Sequence, residues 1–325
     1  MTNEHWRGLL PETIRRAEGS VFHYTSPSGF FGLVENGELW ATESSAMNDM
    51  AEVRQGWAFI REWLDLQGHD QAVESMRWAA DEDGIVSTLR DIYMCCASSR
   101  GDDANQWRLY AARGRGYAVE LDAAIPLSAI AAKMARPARP PREPGRLYFL
   151  REPTASVSPW LGVLYSDAEK RSALDGLLEN ARRELESVKQ ANYETEYDYN
   201  EALGVAESET GRDLARLAQL MKADGFSGEH EYRTVVTTFL DGISKFRATE
   251  NGVVRYVRMT ASPEQHESDD LVYKSEHEKL TVPVRSVRSG PLLNDKNGRA
   301  TLTAFLKENG YGSADVLHSD IPLRP

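Results

Sequence analysis

The sequence has few of the residues that build a disulfide framework, a metal site or a membrane span. Its only two cysteines, Cys95 and Cys96, are adjacent, which excludes a disulfide framework and is typical of free thiols in a reducing compartment. The seven histidines are scattered, so no metal site is expected. No apolar run approaches the roughly 18 residues of a membrane span, and the N-terminus has no apolar signal-peptide core. We therefore expect a cytoplasmic protein with no membrane partner.

An excess of positive charge is also missing. The 38 Lys and Arg residues against 50 Asp and Glu residues give a formal net charge of −12. This argues against a broad, nonspecific nucleic-acid or membrane surface, because phosphate binding depends on clustered cations. A local groove lined by Arg108, Arg113 and Arg115 remains compatible with this charge.

The common catalytic motifs are absent too: the chain has no P-loop, no GxSxG, no HExxH, and no GxGxxG between a strand and a helix. Short strand-like segments are mixed with helical ones without regular alternation, which favours an α+β fold over a doubly wound sheet. The segments predicted to be strands include VFHYTS (21–26), ELWAT (38–42), DIYMCCAS (91–98), GYAVELD (116–122) and EYRTVVTTFL (231–240).

His23 and Thr25 are the first candidate binding residues. Alternation along the strand places both on one face and Tyr24 on the other. One interpretation is that His23 and Thr25 hydrogen-bond a ligand; the other is a half-buried polar strand end.

Glu229 and Glu231 are the candidate catalytic residues. In an extended chain the two carboxylates share one face, about 7 Å apart, while His230 points away. Two like charges perturb each other's pKa if they are buried. The alternative is a solvated strand start in which Arg233 neutralises the pair.

Three further residues have two interpretations each. Asn48 precedes a predicted helix, so it caps that helix or contacts a cofactor. Trp107 and Tyr110 lie three residues apart on one helical face, and they form part of the core or a stacking platform.

Several of these segments occur in an order that resembles the bacterial family called domain of unknown function 2971, which has relatives among AbiGi-type abortive phage-resistance proteins. The segments are FHYTSPSGFFGLVENGELWAT, MNDMAE, YMCCASSRGDDANQWRLYAARGRGYAVELD, GFSGEHEYRTVV and VLHSDIPLR. Because they reach both ends of the chain, the resemblance implies a single domain over 1–325, with a helical elaboration at 166–222.

The first strand and turn also resemble ADP-ribosyltransferases. This likeness implies an ADP-ribosyltransferase-like core of short, mostly antiparallel strands with peripheral helices. In that fold a His on the first strand, with a small or hydroxyl residue two positions on, holds the nicotinamide end of NAD, as His23 and Thr25 would here. The serine-bearing strand end of that fold is similar to Ala97-Ser98-Ser99, which implies a cofactor role for Ser98.

The same likeness implies that Glu231 is the electrostatic catalytic residue and that Glu229 orients the acceptor. Tyr24, Trp40 or Tyr110 would present an aromatic face to the cationic nicotinamide ring. The expected function is an NAD-dependent ADP-ribosyltransferase, acting as a toxin or phage-defence effector on a macromolecular acceptor, protein or nucleic acid, with an antitoxin or defence partner. The alternatives are a non-catalytic nucleotide- or partner-binding module and an NAD hydrolase.

Overall fold

The computed structural model describes residues 11–46, 50–81, 92–132, 154–239, 243–249, 252–261, 271–274, 280–293 and 295–323. The strands within these residues are β1 (Ser20–Thr25), β2 (Leu39–Glu43), β3 (Ile92–Ser98), β4 (Tyr117–Asp122), β5 (Leu127–Ala132), β6 (Thr154–Val157), β7 (Leu161–Gly162), β8 (Glu231–Phe239), β9 (Lys245–Thr249), β10 (Gly252–Ala261), β11 (Leu271–Lys274), β12 (Val284–Ser289) and β13 (Asp315–His318). The helices are α1 (Pro27–Asn36), α2 (Met50–Asp65), α3 (Gln71–Ala79), α4 (Ala104–Leu109), α5 (Asp167–Gln190), α6 (Glu196–Ala218) and α7 (Asp295–Glu308), with short 3-10 turns at Ser44–Ala46, Ala112–Gly114 and Asp224–Glu229.

The strands form one open, mostly antiparallel sheet, so the predicted α+β class is confirmed. Its order is β11-β5-β10-β2-β3-β1-β4-β12-β13, and parallel pairing occurs for β11 with β5 and for β12 with β13. β8 lies along the other edge of β3 and also pairs with β6 and β7, while β9 pairs with β10. β3 is therefore the strand on which the two halves of the sheet join.

Both faces of β3 are covered, which explains its nearly continuous apolar sequence. Ile92 and Met94 belong to a core cluster with helices α2, α3, α5 and α6. Tyr93 and Cys95 alternate with them and belong to a second cluster, which includes residues of α1 and α7. The two clusters hold the helices on opposite sides of the central strands.

Helix α1 begins and ends where its sequence dictates. The Gly29 amide donates a 3.1 Å hydrogen bond to the Ser26 side chain, and Pro27 occupies the first turn, where its missing N–H costs nothing. Gly37 has a φ of 65° and ends the helix. This short helix fixes the turn between β1 and β2.

Helices α5 and α6 occupy most of the segment 166–222. Ser166 and Thr195 begin them, each in a capping box with an acidic residue three positions on. Leu174, Leu177, Leu178 and Leu185 of α5 are buried in the first core cluster. None of the described helices combines the length and the apolar character that crossing a bilayer requires.

Candidate functional site

Strands β1 and β2 diverge at the centre of the sheet. They share one edge of β3, because Thr42 of β2 pairs with Met94 while Phe22 of β1 pairs with Ser98. The intervening segment of β3 faces the opening between β1 and β2. We call this opening, bounded by β1, β2 and residues 94–98 of β3, the fork.

A cavity of about 760 Å³ occupies the fork. Its walls come from β1 to β3, from α1, and from the side chains of Lys222, Glu229, Glu231, Arg233 and Arg247. Ligand pockets for small molecules span roughly 300–1,000 Å³. The structure thus brings the early imidazole and the late carboxylates of the sequence analysis to one cavity.

His23 lies in the fork. Its Nδ1 is 2.9 Å from the carbonyl oxygen of Cys96, which is a β3 residue between the positions that pair with β1 and β2. Because a carbonyl oxygen only accepts, Nδ1 carries the hydrogen and Nε2 of the neutral ring is an acceptor. Burial lowers the pKa of His23, and the bond to Cys96 only partly offsets this effect. His23 therefore satisfies a strand carbonyl and also lines the cavity as a neutral imidazole.

The cavity is lined from both faces of the sheet. Pairing of Phe22 with Ser98, and of Ser98 with Glu231, places these three residues on one face. His23 and Thr25 alternate with Phe22 and therefore lie on the opposite face. A ligand that touches both the imidazole and the carboxylates must enter the fork itself.

The backbone at the carboxylate pair differs from the sequence prediction. Glu229 ends the 3-10 turn Asp224–Glu229, and His230 has a left-handed backbone with a φ of 48°. The predicted extended conformation of this tripeptide is therefore wrong. The carboxylates of Glu229 and Glu231 nevertheless converge, because both contact the ammonium group of Lys222.

The ammonium group of Lys222 contacts both buried carboxylates and offsets the repulsion between them. Its Nζ is 2.7 Å from Glu229 Oε2 and 3.2 Å from Glu231 Oε2. Arg233 adds a second cation, with Nε 2.7 Å from Glu231 Oε1 and Nη2 3.0 Å from Oε2. Although burial raises the pKa of Glu231, Arg233 and then Lys222 lower it to about 2. Glu231 is therefore anionic and held on both oxygens.

The carboxylate of Glu229 has fewer hydrogen-bond partners than that of Glu231. Its Oε1 accepts a 3.2 Å hydrogen bond from the Tyr110 hydroxyl, and its Oε2 accepts from Lys222. Its backbone carbonyl accepts from Ser98 Oγ at 2.8 Å and from Gln106 Nε2 at 3.2 Å. Since each carboxylate oxygen has two lone pairs, Glu229 retains acceptor capacity toward the cavity.

Two of the predicted cofactor residues position the site instead of facing it. Ser98 is buried, and its hydroxyl holds the Glu229 backbone. Trp107 is fully buried against Tyr24 and donates its indole hydrogen to Asp102 at 2.6 Å. Trp107 is therefore a core residue and not a stacking platform for a ligand.

The aromatic residues that line the cavity differ in exposure. Tyr24 is 6% exposed, and its hydroxyl is engaged by the backbone of Arg100 and Asp103. Trp40 and Tyr110 are 37% and 46% exposed, and the ring of Trp40 also contacts Tyr256 and the guanidinium of Arg247. Thr25 also lines the cavity, whereas Asn48 lies outside the described residues.

Three cationic residues of the site were missed or given another role by the sequence analysis. Arg233 was considered only as a neutralising residue for an exposed pair, but the pair is buried. Lys222 and Arg247 are single basic residues outside any motif, and only the fold brings them to the cavity.

Comparison with known proteins relates part of the chain to one family. Comparison with curated proteins and with solved structures gives no match. One family model matches a segment that runs from α4 to β8. This segment includes Tyr110, Lys222, Glu229 and Glu231, whereas β1 and β2 precede it. Residues 106–234 match this model, which is described as protein of unknown function (DUF2971).

Proposed function

We propose that the chain cleaves NAD and transfers its ADP-ribose to a macromolecular acceptor, protein or nucleic acid. One observation carries this proposal: a neutral imidazole, partly exposed aromatic rings and the two carboxylates, of which Glu231 is anionic, line one cavity. The open α+β sheet with its fork is compatible with an ADP-ribosyltransferase-like core. The resemblance to abortive phage-resistance proteins supports use as a toxin or defence effector in the cytoplasm.

The cavity supplies groups suited to both ends of the reacting bond. His23 Nε2 is an acceptor for a carboxamide N–H or a ribose hydroxyl, and Thr25 lies on the same face. Tyr110 offers a partly exposed aromatic ring, which attracts a cationic ring, whereas Trp40 already carries the guanidinium of Arg247 over its ring. These groups would hold the nicotinamide riboside end of NAD.

The chemistry requires negative charge beside the ribose. When the bond between C1′ and the nicotinamide nitrogen breaks, nicotinamide leaves with the electron pair as a neutral base, and oxocarbenium character develops on the sugar. A carboxylate that accepts the 2′-hydroxyl hydrogen stabilises this charge. The acceptor then forms the new bond to C1′ and releases one proton, so charge and atoms balance.

The geometry favours Glu229 as the residue that accepts the hydrogen of the ribose 2′-hydroxyl. It gives Glu231 the role of holding the neighbouring cations. Both oxygens of Glu231 are held by Arg233, and one of them is also held by Lys222. Glu229 has one partner on each oxygen. Glu231 would then fix the cations that orient Glu229, which exchanges the two roles implied by the resemblance.

Incubation with NAD labelled in its adenylate part tests the activity. Free ADP-ribose and labelled macromolecule are measured separately, in a lysate and with purified protein alone. Label in protein or nucleic acid supports the transferase, and its sensitivity to protease or nuclease identifies the acceptor class. ADP-ribose alone would show an NAD hydrolase instead, and unchanged NAD would contradict both activities.

Glu229→Gln tests the role of the carboxylate. The variant keeps the shape of the side chain and removes its charge, so we expect NAD turnover to fall by about 100-fold or more. Glu35→Gln is the matched control, because Glu35 is an exposed residue of α1. Turnover that is unchanged in a folded Glu229→Gln protein would remove Glu229 from the mechanism.

A specific observation favours the non-catalytic alternative: Glu231 is already neutralised by two cations. If NAD binds in the cavity but is recovered intact, the chain is a nucleotide-binding module. Equilibrium dialysis with NAD beside the turnover assay separates this outcome from the enzymatic one.

A further inference from the structure

Arg247 of β9 is a cation of the cavity without an acidic partner in the part of the chain that the structure describes. The other two cationic side chains of the cavity wall, Lys222 and Arg233, contact Glu229 or Glu231. Arg247 instead donates from Nη2 to the hydroxyl of Thr42 at 2.7 Å. A neutral hydroxyl does not compensate its charge.

The guanidinium of Arg247 is fixed in place by its neighbours. It lies over the ring of Trp40 at 5.3 Å and over the ring of Tyr256 at 5.7 Å. Its Nε is buried and has no hydrogen-bond partner. The stacked rings leave the guanidinium pre-organised beside the cavity that it lines.

The neighbouring arginines of the sheet show how this fold treats other partly buried cations. Arg255 and Arg258, both on β10, pair with Glu43 at 2.6 Å and with Glu38 at 3.0 Å. Arg247 is paired across the sheet with Val254 of the same strand β10, yet it contacts neither carboxylate. An anionic ligand in the cavity would supply the counter-ion that Arg247 lacks among the described residues.

The protonation equilibrium of Arg247 agrees with an uncompensated charge. Burial lowers the pKa of its guanidinium, and Tyr256 and Cys95 offset only part of this effect. Arginine nevertheless remains protonated at physiological pH, because its ordinary pKa lies far above that range. An anion in the cavity would recover some of the free energy lost by burying this charge.

We propose that Arg247 is the diphosphate-binding residue of the cavity and that the ligand is a nucleotide. Guanidinium groups bind phosphate oxygens through two parallel hydrogen bonds, and the partly exposed Trp40 and Tyr110 line the same cavity. This inference rests on the proposed function in so far as NAD is a dinucleotide with a diphosphate. It concerns binding only, and it requires no cleavage.

Isothermal titration with three probes tests the assignment: ADP, adenosine and inorganic pyrophosphate. We expect ADP to bind at least about tenfold more tightly than adenosine, the size of effect expected for a charge-assisted hydrogen bond. Equal binding of ADP and adenosine, or no binding of either, would overturn the proposal. Pyrophosphate binding as tightly as ADP would overturn the nucleotide part and assign the site to an inorganic anion.

Arg247→Gln locates the effect, with Lys245→Gln as the matched control. Lys245 is an exposed cation two positions earlier on β9, so both variants remove one positive charge from the same strand. The ADP preference should disappear in Arg247→Gln and persist in Lys245→Gln. Loss in both variants would indicate general electrostatics and would contradict a site at Arg247.

Salt dependence of the unmodified protein provides a measurement that does not depend on a variant folding. ADP affinity should fall as the salt concentration rises, while adenosine affinity should not. The ADP result is also independent of NAD turnover. ADP binding that depends on Arg247, without NAD cleavage, would retain this inference and reject the transferase. NAD cleavage that is unaffected by Arg247→Gln would retain the transferase and reject the site at Arg247.

Discussion

Arg233 holds the carboxylate of Glu231 through two nitrogens, at 2.7 Å and 3.0 Å. A third nitrogen of the same guanidinium donates to the backbone carbonyl of Gln219. One buried side chain thus connects the start of β8 to the end of α6. The ion pair is as much part of the fold as of the cavity.

Removing Arg233 should destabilise the protein strongly. In Arg233→Met, Glu231 keeps only Lys222 as a cationic partner and the Gln219 carbonyl loses a donor. Breaking a buried ion pair from one side costs about 3–5 kcal/mol. Urea denaturation should show a loss of this size in the free energy of unfolding.

Arg182→Met is the matched control for this variant. Arg182 pairs with Asp70 at 2.6 Å, but both side chains are more than two-fifths exposed. Its removal should cost no more than about 1 kcal/mol. Equal losses in Arg182→Met and Arg233→Met would contradict the structural role of the buried pair.

The free energy of unfolding should decrease at low pH because Glu231 becomes protonated. Its pKa falls from an ordinary value of 4.5 to about 2 on folding, so the unfolded state takes up a proton first as the pH decreases. The stabilisation is complete above pH 4.5 and is lost as the pH falls toward 2. A shift of this size corresponds to about 3 kcal/mol.

Comparing the protein with Glu231→Gln isolates this contribution. Glutamine does not titrate, so the difference in unfolding free energy between the two proteins should be largest at neutral pH and shrink between pH 4.5 and pH 3. A difference that stays constant over this range would show that Glu231 has the same pKa in both states.

Local patterns predicted much of the secondary structure. The five segments predicted to be strands overlap β1, β2, β3, β4 and β8. The carboxylate pair was also found from the sequence. The backbone conformation of this segment was not predicted. The left-handed conformation of His230 accompanies the hydrogen bond that its carbonyl accepts from the Ser99 amide and the 3-10 turn before it.

The charges around the pair could not be predicted from spacing. The end of α6 is held beside β8 by the bonds from Arg216 to Thr237 and from Arg233 to the Gln219 carbonyl. Lys222 follows this helix and thereby reaches Glu229. Arg247 comes to the cavity through the pairing of β9 with β10 and of β10 with β2. Such contacts depend on long-range pairing, whereas Trp107 shows that a short-range pattern alone does not separate a core residue from an exposed one.

His23 has a structural and a binding role that two substitutions separate. Asparagine can replace Nδ1–H as the donor to the Cys96 carbonyl, but it lacks an acceptor at the position of Nε2. We expect His23→Asn to retain stability within about 1 kcal/mol and to lose NAD binding. His23→Ala should lose both, because it leaves a buried carbonyl without its donor, which costs about 1–3 kcal/mol.

The pH dependence of stability distinguishes these roles further. Because burial lowers the pKa of His23 in the folded protein, its contribution is complete above the ordinary value of 6.5 and is lost as the pH falls below it. His23→Asn has no such group, so its unfolding free energy should change less between pH 7.5 and pH 5.5. If the variant binds NAD as tightly as the unmodified protein, His23 serves only to satisfy the open edge of β3, and the fork needs another residue to hold the nicotinamide.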